Sequence, residues 1–121
     1  MTREMCRAKI HGATVTEANL YYLGSITIDQ ALLEAADILP YEKVQVVNLN
    51  NGERLETYAI PGPKGSGSLC LNGAAARQAH AGDKVIVMAF SSVTDAEARV
   101  WRPKMIFVDE KNRMTRATSG E

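Results

Sequence analysis

The chain has 121 residues, 45% of them apolar and 23% charged, and its 14 basic residues balance its 14 acidic ones. This length and composition are typical of a globular protein with one domain and a small core. A net charge of zero excludes a field that would draw the whole protein to nucleic acid or to an anionic membrane.

The sequence also lacks targeting and metal-binding motifs. Its first twelve residues are too charged for a signal peptide, and no apolar run approaches the length of a membrane span. We therefore expect a cytoplasmic protein whose partners include neither a membrane nor nucleic acid. Cys6 and Cys70 are too few and too far apart for a disulfide framework or a CxxC metal site, so we expect no metal.

The first predicted elements are strands. Residues 5–18 alternate in polarity, so that Lys9 and His11 point to one face of a strand and Ile10 to the other. Residues 25–29, SITID, form a short β-branched run that predicts a second strand.

Residues 29–39 predict the one convincing helix. Asp29 is suited to the N-cap, and Pro40 lies just beyond the end. The helix carries a short apolar stripe formed by Leu32, Leu33 and Ala36. A β-hairpin is predicted next, over residues 43–60, where two strand-like runs flank Asn51-Gly52, a pair typical of a tight type I′ turn.

The second half of the chain adds short elements in sequence order. They are a loop at 61–68, a brief strand at 69–71, a turn leading into one or two helical turns at 72–79, strands at 83–92 and 103–110, and a polar, flexible tail at 110–121. Many short strands with one helix indicate a mainly β barrel or sandwich. We favour a closed barrel, because closure leaves no exposed strand edges.

The dipeptide Gly-Ser occurs three times. Gly65-Ser66 and Gly67-Ser68 lie in a run of Pro, Gly and Ser that is typical of a loop, whereas Gly24-Ser25 directly precedes a predicted strand. A conventional hydrolase would need a base oriented toward a nucleophile, and the chain has no GxSxG motif and two histidines. The spacing of the carboxylates does not single out a glycosidase pair either.

Five motifs together resemble the aspartate 1-decarboxylase family, the pyruvoyl-dependent enzymes that make β-alanine for pantothenate and coenzyme A. They are KIH at 9–11, YYLGSITID at 21–29, NGERLETYAI at 51–60, NGAAA at 72–76 and WRP at 101–103. The similarity extends to about residue 109. It implies a mainly β fold, a six-stranded double-psi β-barrel with short helices, and a homotetramer with active sites at subunit interfaces.

The resemblance implies that the chain cuts itself between Gly24 and Ser25, into residues 1–24 and 25–121. Ser25 Oγ attacks the Gly24 carbonyl to form an ester, elimination gives dehydroalanine, and hydrolysis leaves a pyruvoyl group. A glycine tolerates the unusual backbone that this attack needs. The developing oxyanion needs a fixed donor, and by resemblance Thr57 is the leading candidate and Asn72 a weaker one.

The resemblance further implies that the pyruvoyl group forms a Schiff base with L-aspartate and accepts the electrons released with CO₂, with no need for pyridoxal phosphate or a metal. The proton donor of the family corresponds to Tyr58, and a phenol carries its proton at neutral pH, so it can donate without special tuning. A cation is counterproductive on the departing α-carboxylate, so we place Arg54 on the retained carboxylate. Lys9 adds a second positive charge to the substrate pocket.

Other site residues implied by the resemblance are Thr57 again, as a substrate contact, and the accessible backbone amides of Gly73, Ala74 and Ala75. His11 and Tyr22 are further candidates, and His11 is equally compatible with a structural role. Arg54 and Tyr58 share the parity of one strand face and Thr57 has the opposite parity. Either a bulge re-aims Thr57, or the site draws on more than one subunit.

Two other functions fit the sequence. A small β-barrel used only for binding or assembly would never cleave itself and would need none of Ser25, Thr57 and Tyr58. A related pyruvoyl decarboxylase acting on glutamate or another acidic amino acid also fits, and the sequence discriminates poorly between these substrates, because one methylene changes binding by only about 1–3 kcal/mol.

Overall fold

The computed structural model describes residues 1–21 and 24–120, and in that part of the chain nine strands hydrogen-bond into one continuous sheet. The strands are β1 (Thr2–Thr14), β2 (Glu17–Asn19), β3 (Ser25–Asp29), β4 (Lys43–Asn48), β5 (Arg54–Gly62), β6 (Leu69–Asn72), β7 (Lys84–Thr94), β8 (Lys104–Val108) and β9 (Met114–Ser119). The helices of the same residues are α1 (Gln30–Ala36), a 3₁₀ helix (Gly73–Gln78) and α2 (Asp95–Arg99). The prediction of a mainly β protein with short helices is confirmed.

The strands follow the order β2-β6-β3-β5-β4-β7-β1-β8-β9 across the sheet. The long first strand, β1, therefore lies between β7, to which it runs antiparallel, and β8, to which it runs parallel. The six-stranded double-psi barrel implied by the resemblance stays a prediction. Within the described residues, no helix is both long and apolar enough to cross a membrane.

The core is built by alternate residues of neighbouring strands, as the period of a strand requires. Val44 and Val46 of β4 are buried, and Val85 and Val87 of β7 are buried beside them. Ile10 of β1 is also fully buried, as its predicted orientation requires. The residues between these buried positions point away from the core. On β5 they include Arg54, Glu56 and Tyr58, which are exposed.

Helix α1 confirms the predicted N-cap and apolar stripe. The Asp29 carboxylate accepts a hydrogen bond of 2.8 Å from the Ala31 N–H, and Leu32, Leu33 and Ala36 are buried. The helix ends earlier than predicted, because Asp37 adopts a left-handed backbone with φ of 56°. Its N–H donates to the Glu34 carbonyl, which closes the last turn.

The predicted hairpin is present as β4 and β5, but the predicted two-residue type I′ turn is wrong. The connection runs over residues 49–53, and of the Asn51-Gly52 pair only Gly52 has a positive φ, at 77°. Asparagine side chains stabilise the longer loop: Asn48 Oδ1 accepts from the Asn50 N–H, and Asn51 Oδ1 from the Glu53 N–H, both at 2.9 Å. These local bonds favour a wider loop over the tight turn.

Helix α2 and strand β9 were not predicted, and the single strand predicted over residues 5–18 is divided into β1 and β2, which pair with different strands. Helix α2 begins with a capping box in which the Thr94 hydroxyl accepts from the Glu97 N–H and the Glu97 carboxylate accepts from the Thr94 N–H. Strand β9 falls inside the predicted tail 110–121 and pairs with β8. The flexibility of that tail stays a prediction. Before β9, buried Asn112 donates to the carbonyls of Thr14 and Gly67.

The loop at residues 63–68 is anchored on the carboxylate of Asp29. Asp29 is only 3% exposed and accepts hydrogen bonds from the N–H groups of Gly65 and Gly67 at 2.9 and 2.8 Å. Gly67 has a φ of 71°, and a Cβ on it would lie 2.5 Å from the Lys111 carbonyl oxygen. The two Gly-Ser pairs of this segment are therefore loop residues, as predicted.

The Asp29 carboxyl makes the stability of the protein sensitive to acid. Burial raises its pKa, but the N–H groups of Gly67, Ala31 and Gly65 and the charge of Arg113 outweigh burial and hold the pKa below its ordinary value. A pKa depressed in the folded state stabilises the fold above the unfolded-state pKa. That contribution is lost as the pH falls below about 4 toward the folded-state pKa.

We therefore expect Asp29→Asn to lower the free energy of unfolding by about 1–3 kcal/mol at pH 7, since a neutral amide is a poorer acceptor for three backbone donors. The loss should shrink as the pH falls below about 4, because the unfolded wild type then takes up a proton and the contribution of the ionised carboxylate to stability declines. Chemical denaturation at pH 7 and pH 3.5 measures both effects. Asp37→Asn, at the other end of α1, is the matched control; an equal loss in both variants would contradict the role given to Asp29.

Candidate active site

Ser25 is placed by the pairing of β3 with β6. It is the first residue of β3 and lies directly opposite Asn72, the last residue of β6. The two residues are 1% and 2% exposed. The Asn72 amide Nδ2 donates to Ser25 Oγ over 3.1 Å. A buried hydroxyl is thus fixed by a neutral donor at the point where the strand begins.

The backbone of Ser25 is unusual. Its φ is 149°, in the positive region that residues with side chains rarely adopt. Such strain costs about 1–3 kcal/mol and is characteristic of functional sites. Gly24 precedes it, and a Cβ built on Gly24 would meet no neighbour in the described part of the chain. The strained backbone is therefore observed at Ser25 itself.

Ser25 opens into a cleft of about 250 Å³. Its described lining combines predicted site residues from three parts of the chain with other side chains, and consists of Gly24, Ser25, Leu55, Glu56, Thr57, Asn72, Ala74, Ala75 and Gln78. Gly73, at the start of the 3₁₀ helix, is buried between Asn72 and Ala74 and has a φ of 60°. The structure thus brings Ser25, Thr57 and Asn72 together around one space.

Other predicted site residues do not line this cleft in the described chain. Arg54 and Tyr58 belong to the exposed face of β5, and Tyr58 is 38% exposed. The pairing of β5 with β4 runs from Arg54 to Tyr58 without a register shift, so no bulge re-aims Thr57. Tyr58 instead lies in a shallower cleft of about 340 Å³ with Lys43, Glu56 and Thr57. Its ring is 6.1 Å from that of Tyr41.

Lys9 and His11 are half-buried on β1, as the alternation of that strand predicts. Within the described residues, His11 Nδ1 is buried without a hydrogen-bond partner, and its ring lies 5.8 Å from that of Phe107. Tyr22 lies outside the described residues.

One ion pair sets the charge at the rim of the cleft. The carboxylate of Glu56 is 2.8 Å from Lys43 Nζ, and both side chains are largely exposed. The hydrogen bond to Glu56 and its negative charge raise the pKa of Lys43. Lys43 thereby offsets the repulsion that Glu56 alone would exert on an anion entering the cleft.

Sequence reasoning missed two side chains that contact Asn72. Its Nδ2 also donates to Thr27 Oγ1 over 3.0 Å, and its Oδ1 accepts from the Cys70 thiol at 3.0 Å. Both residues face Asn72 because β3 and β6 pair Thr27 with Cys70, two positions along from the Ser25–Asn72 pair. The alternation of the two strands could have indicated this, but only once their register was known.

Comparison with known proteins gives a family match over almost the whole chain. Residues 1–115 match the family model described as aspartate decarboxylase. The chain is 61% identical over 117 residues to the aspartate 1-decarboxylase of Carboxydothermus hydrogenoformans, covering 97% of this chain and 92% of that protein. It is 65% identical over 112 residues to the enzyme of that name from Desulfitobacterium hafniense, and 62% over 112 residues to that from Listeria monocytogenes, each covering 93% of this chain and 88% of the relative.

Proposed function

Because the chain belongs to the aspartate decarboxylase family, we propose that it converts L-aspartate to β-alanine and CO₂, using a pyruvoyl group that it makes from its own Ser25. The observation that carries this proposal is the state of Ser25. It is buried, has a φ of 149°, and its Oγ is held by Asn72 at the edge of a cleft large enough for a small amino acid.

Self-cleavage requires only the atoms of Gly24 and Ser25 and one water molecule. Ser25 Oγ attacks the carbonyl carbon of Gly24, the peptide C–N bond breaks, and the acyl group moves to oxygen as an ester. Loss of the Ser25 α-proton then expels the Gly24 carboxylate through cleavage of the Cβ–Oγ bond. Water converts the resulting dehydroalanine into the pyruvoyl group and releases ammonia. Residues 1–24 and 25–121 become separate chains.

Two side chains assist these steps. The Thr57 hydroxyl lines the cleft beside Ser25 and donates to the oxyanion that forms when Gly24 is attacked. Asn72 Nδ2 faces Ser25 Oγ as a donor. A donor cannot remove the hydroxyl proton, but it stabilises the negative charge that Oγ acquires when it leaves as part of the Gly24 carboxylate.

The pyruvoyl group supplies an electrophilic carbonyl and an electron sink that no ordinary side chain provides. Ser25 fits as its source, because elimination requires an oxygen or sulfur on Cβ. The chain's own residues bind aspartate and move the proton. Arg54 holds the retained side-chain carboxylate with its two-pronged guanidinium, assisted by Lys9, and Tyr58 donates the proton to the former α-carbon. The small residues Gly73, Ala74 and Ala75 leave backbone amides open to the substrate.

The two faces of β5 support an active site shared between subunits. Thr57 lines the Ser25 cleft, whereas Arg54 and Tyr58 lie on the exposed face of the same regular strand. We therefore propose that the exposed face of β5 completes the cleft of a neighbouring subunit in a homotetramer. Cytoplasmic location and a role in supplying β-alanine for pantothenate are further parts of the proposal.

Intact-mass measurement under denaturing conditions tests the proposal, combined with an assay of CO₂ release from aspartate and from glutamate. We expect two masses, for residues 1–24 and for residues 25–121 with a pyruvoyl end, and release of CO₂ from aspartate. A single uncut chain after prolonged warm incubation would overturn spontaneous maturation. A fully cut protein that releases CO₂ from glutamate but not from aspartate would contradict the assignment of aspartate as the substrate.

A further inference from the structure

We propose that Cys70 is a positioning residue for the maturation of Ser25: its thiol fixes the orientation of the Asn72 amide, so that Nδ2 and not Oδ1 faces Ser25 Oγ. This inference rests on the proposed self-cleavage and extends it to a residue two positions before Asn72 on β6.

The inference is based on a hydrogen-bond network of four side chains. Asn72 Oδ1 accepts from the Cys70 thiol at 3.0 Å, while Asn72 Nδ2 donates to Ser25 Oγ at 3.1 Å and to Thr27 Oγ1 at 3.0 Å. The register of β3 with β6 sets these contacts, since Ser25 pairs with Asn72 and Thr27 with Cys70. The amide is therefore held at both of its ends.

The thiol is the member of this network that selects the orientation of the amide. The two ends of a carboxamide have nearly the same shape, but one donates hydrogen bonds and the other accepts them. The hydroxyls of Ser25 and Thr27 can do either, so they are compatible with both orientations. A thiol offers one proton and accepts poorly, so it favours the carbonyl end of Asn72 beside Cys70.

The surroundings of Cys70 keep that proton in place. Burial and the negative charge of Glu17 raise the pKa of the Cys70 thiol, so it remains a donor at neutral pH. Cys70 also lines a second cleft of about 240 Å³ and is not among the lining residues of the Ser25 cleft, whereas Asn72 lines both. The thiol thus contacts Asn72 without lining the space in which the substrate would bind.

The orientation matters most at the elimination step. When the Cβ–Oγ bond of Ser25 breaks, Oγ becomes an oxygen of the Gly24 carboxylate and gains negative charge. The Nδ2 donor of Asn72 stabilises that charge, whereas a reversed amide would place the negative end of its dipole, Oδ1, against it. Losing the thiol should therefore slow conversion of the ester more than it slows formation of the ester.

The test follows maturation of precursor purified in the cold and then warmed, by intact mass over time, for wild type, Cys70→Ala, Cys70→Ser and Cys6→Ala. Cys6 is the matched control, because it is also half-buried and its thiol contacts the Ala8 carbonyl, on β1. We expect Cys70→Ala to form the pyruvoyl-ended chain roughly fivefold more slowly, the factor that one ordinary hydrogen bond provides. Cys70→Ser keeps a donor, but its hydroxyl can also accept, so it should mature at a rate between those of wild type and Cys70→Ala. Cys6→Ala should stay close to wild type.

Hydroxylamine, which cleaves esters but not amides, identifies the affected step. We expect the ester to accumulate in Cys70→Ala, and the fully matured variant to release CO₂ at the wild-type rate per pyruvoyl-ended chain. Maturation of Cys70→Ala at the wild-type rate, or equal slowing in Cys6→Ala, would overturn the inference. A wild type that never cleaves would instead overturn the proposed function, so the two failures are distinguishable.

Discussion

Ser25→Ala is expected to remain a single chain of 121 residues and to produce no β-alanine. Alanine has no β-oxygen, so it can neither attack the Gly24 carbonyl nor eliminate to dehydroalanine. The fold should persist, because Ser25 is one small buried residue at the start of β3 and its backbone pairing with β6 does not need the hydroxyl. Intact mass under denaturing conditions and an assay of β-alanine measure the two losses.

A matched control for Ser25→Ala is Ser66→Ala, which removes a serine from another Gly-Ser pair. Ser66 is exposed and its hydroxyl bonds to that of Ser68, in the loop anchored by Asp29. This variant should mature and turn over like wild type. Cleavage of Ser25→Ala at residue 24, or normal β-alanine production by its uncut chain, would contradict the role of Ser25.

Tyr58→Phe separates maturation from catalysis. Phenylalanine keeps the ring on the exposed face of β5 but loses the proton that we assign to the former α-carbon of the substrate. The variant should cleave normally at Gly24-Ser25 and lose turnover by roughly 10²–10⁴-fold, the usual contribution of general acid catalysis. Intact mass establishes that cleavage is complete, and kcat for β-alanine formation is then measured per pyruvoyl-ended chain.

The neighbouring Tyr41 provides the control for Tyr58→Phe. The rings of the two tyrosines are 6.1 Å apart, and Tyr41 is more exposed than Tyr58. Tyr41→Phe removes a hydroxyl from the same surface without touching the proposed acid, so kcat should stay near wild type. Wild-type β-alanine production by Tyr58→Phe would show that another group donates the proton.

Local sequence patterns predicted most of the elements of this fold, because each pattern depends on neighbours in the chain. The N-cap Asp29 and the apolar stripe of α1 are examples. Where the structure differs from these predictions, the difference has a physical reason. The left-handed backbone of Asp37 ended α1 early, and side-chain bonds from Asn48 and Asn51 replaced a tight turn with a longer loop. The capping box from Thr94 to Glu97 was visible in the sequence and was overlooked.

The candidate site also contains residues that the sequence predicted and residues that it did not. Ser25, Thr57 and Asn72 were named from the motifs of the family, and the structure places them around one cleft. Thr27 lies in the motif at 21–29 but the motif gives it no role, and Cys70 belongs to none of the five motifs. Both residues reach Asn72 only through the register between β3 and β6, which is a relation between distant parts of the chain. No local pattern encodes that register.

The position of β1 gives self-cleavage a thermodynamic consequence. Residues 1–24 contain β1, which lies between β7 and β8 in the interior of the sheet, so the cut fragment would be retained without a covalent bond, by hydrogen bonds and by core side chains such as Ile10. Unfolding of the mature protein would then also be a dissociation, and its reversal would depend on the concentration of two chains. If the proposed cleavage occurs, we expect the chain to fold before it is cut, because a mature molecule that unfolds in dilute solution no longer has the peptide bond that kept its two parts together.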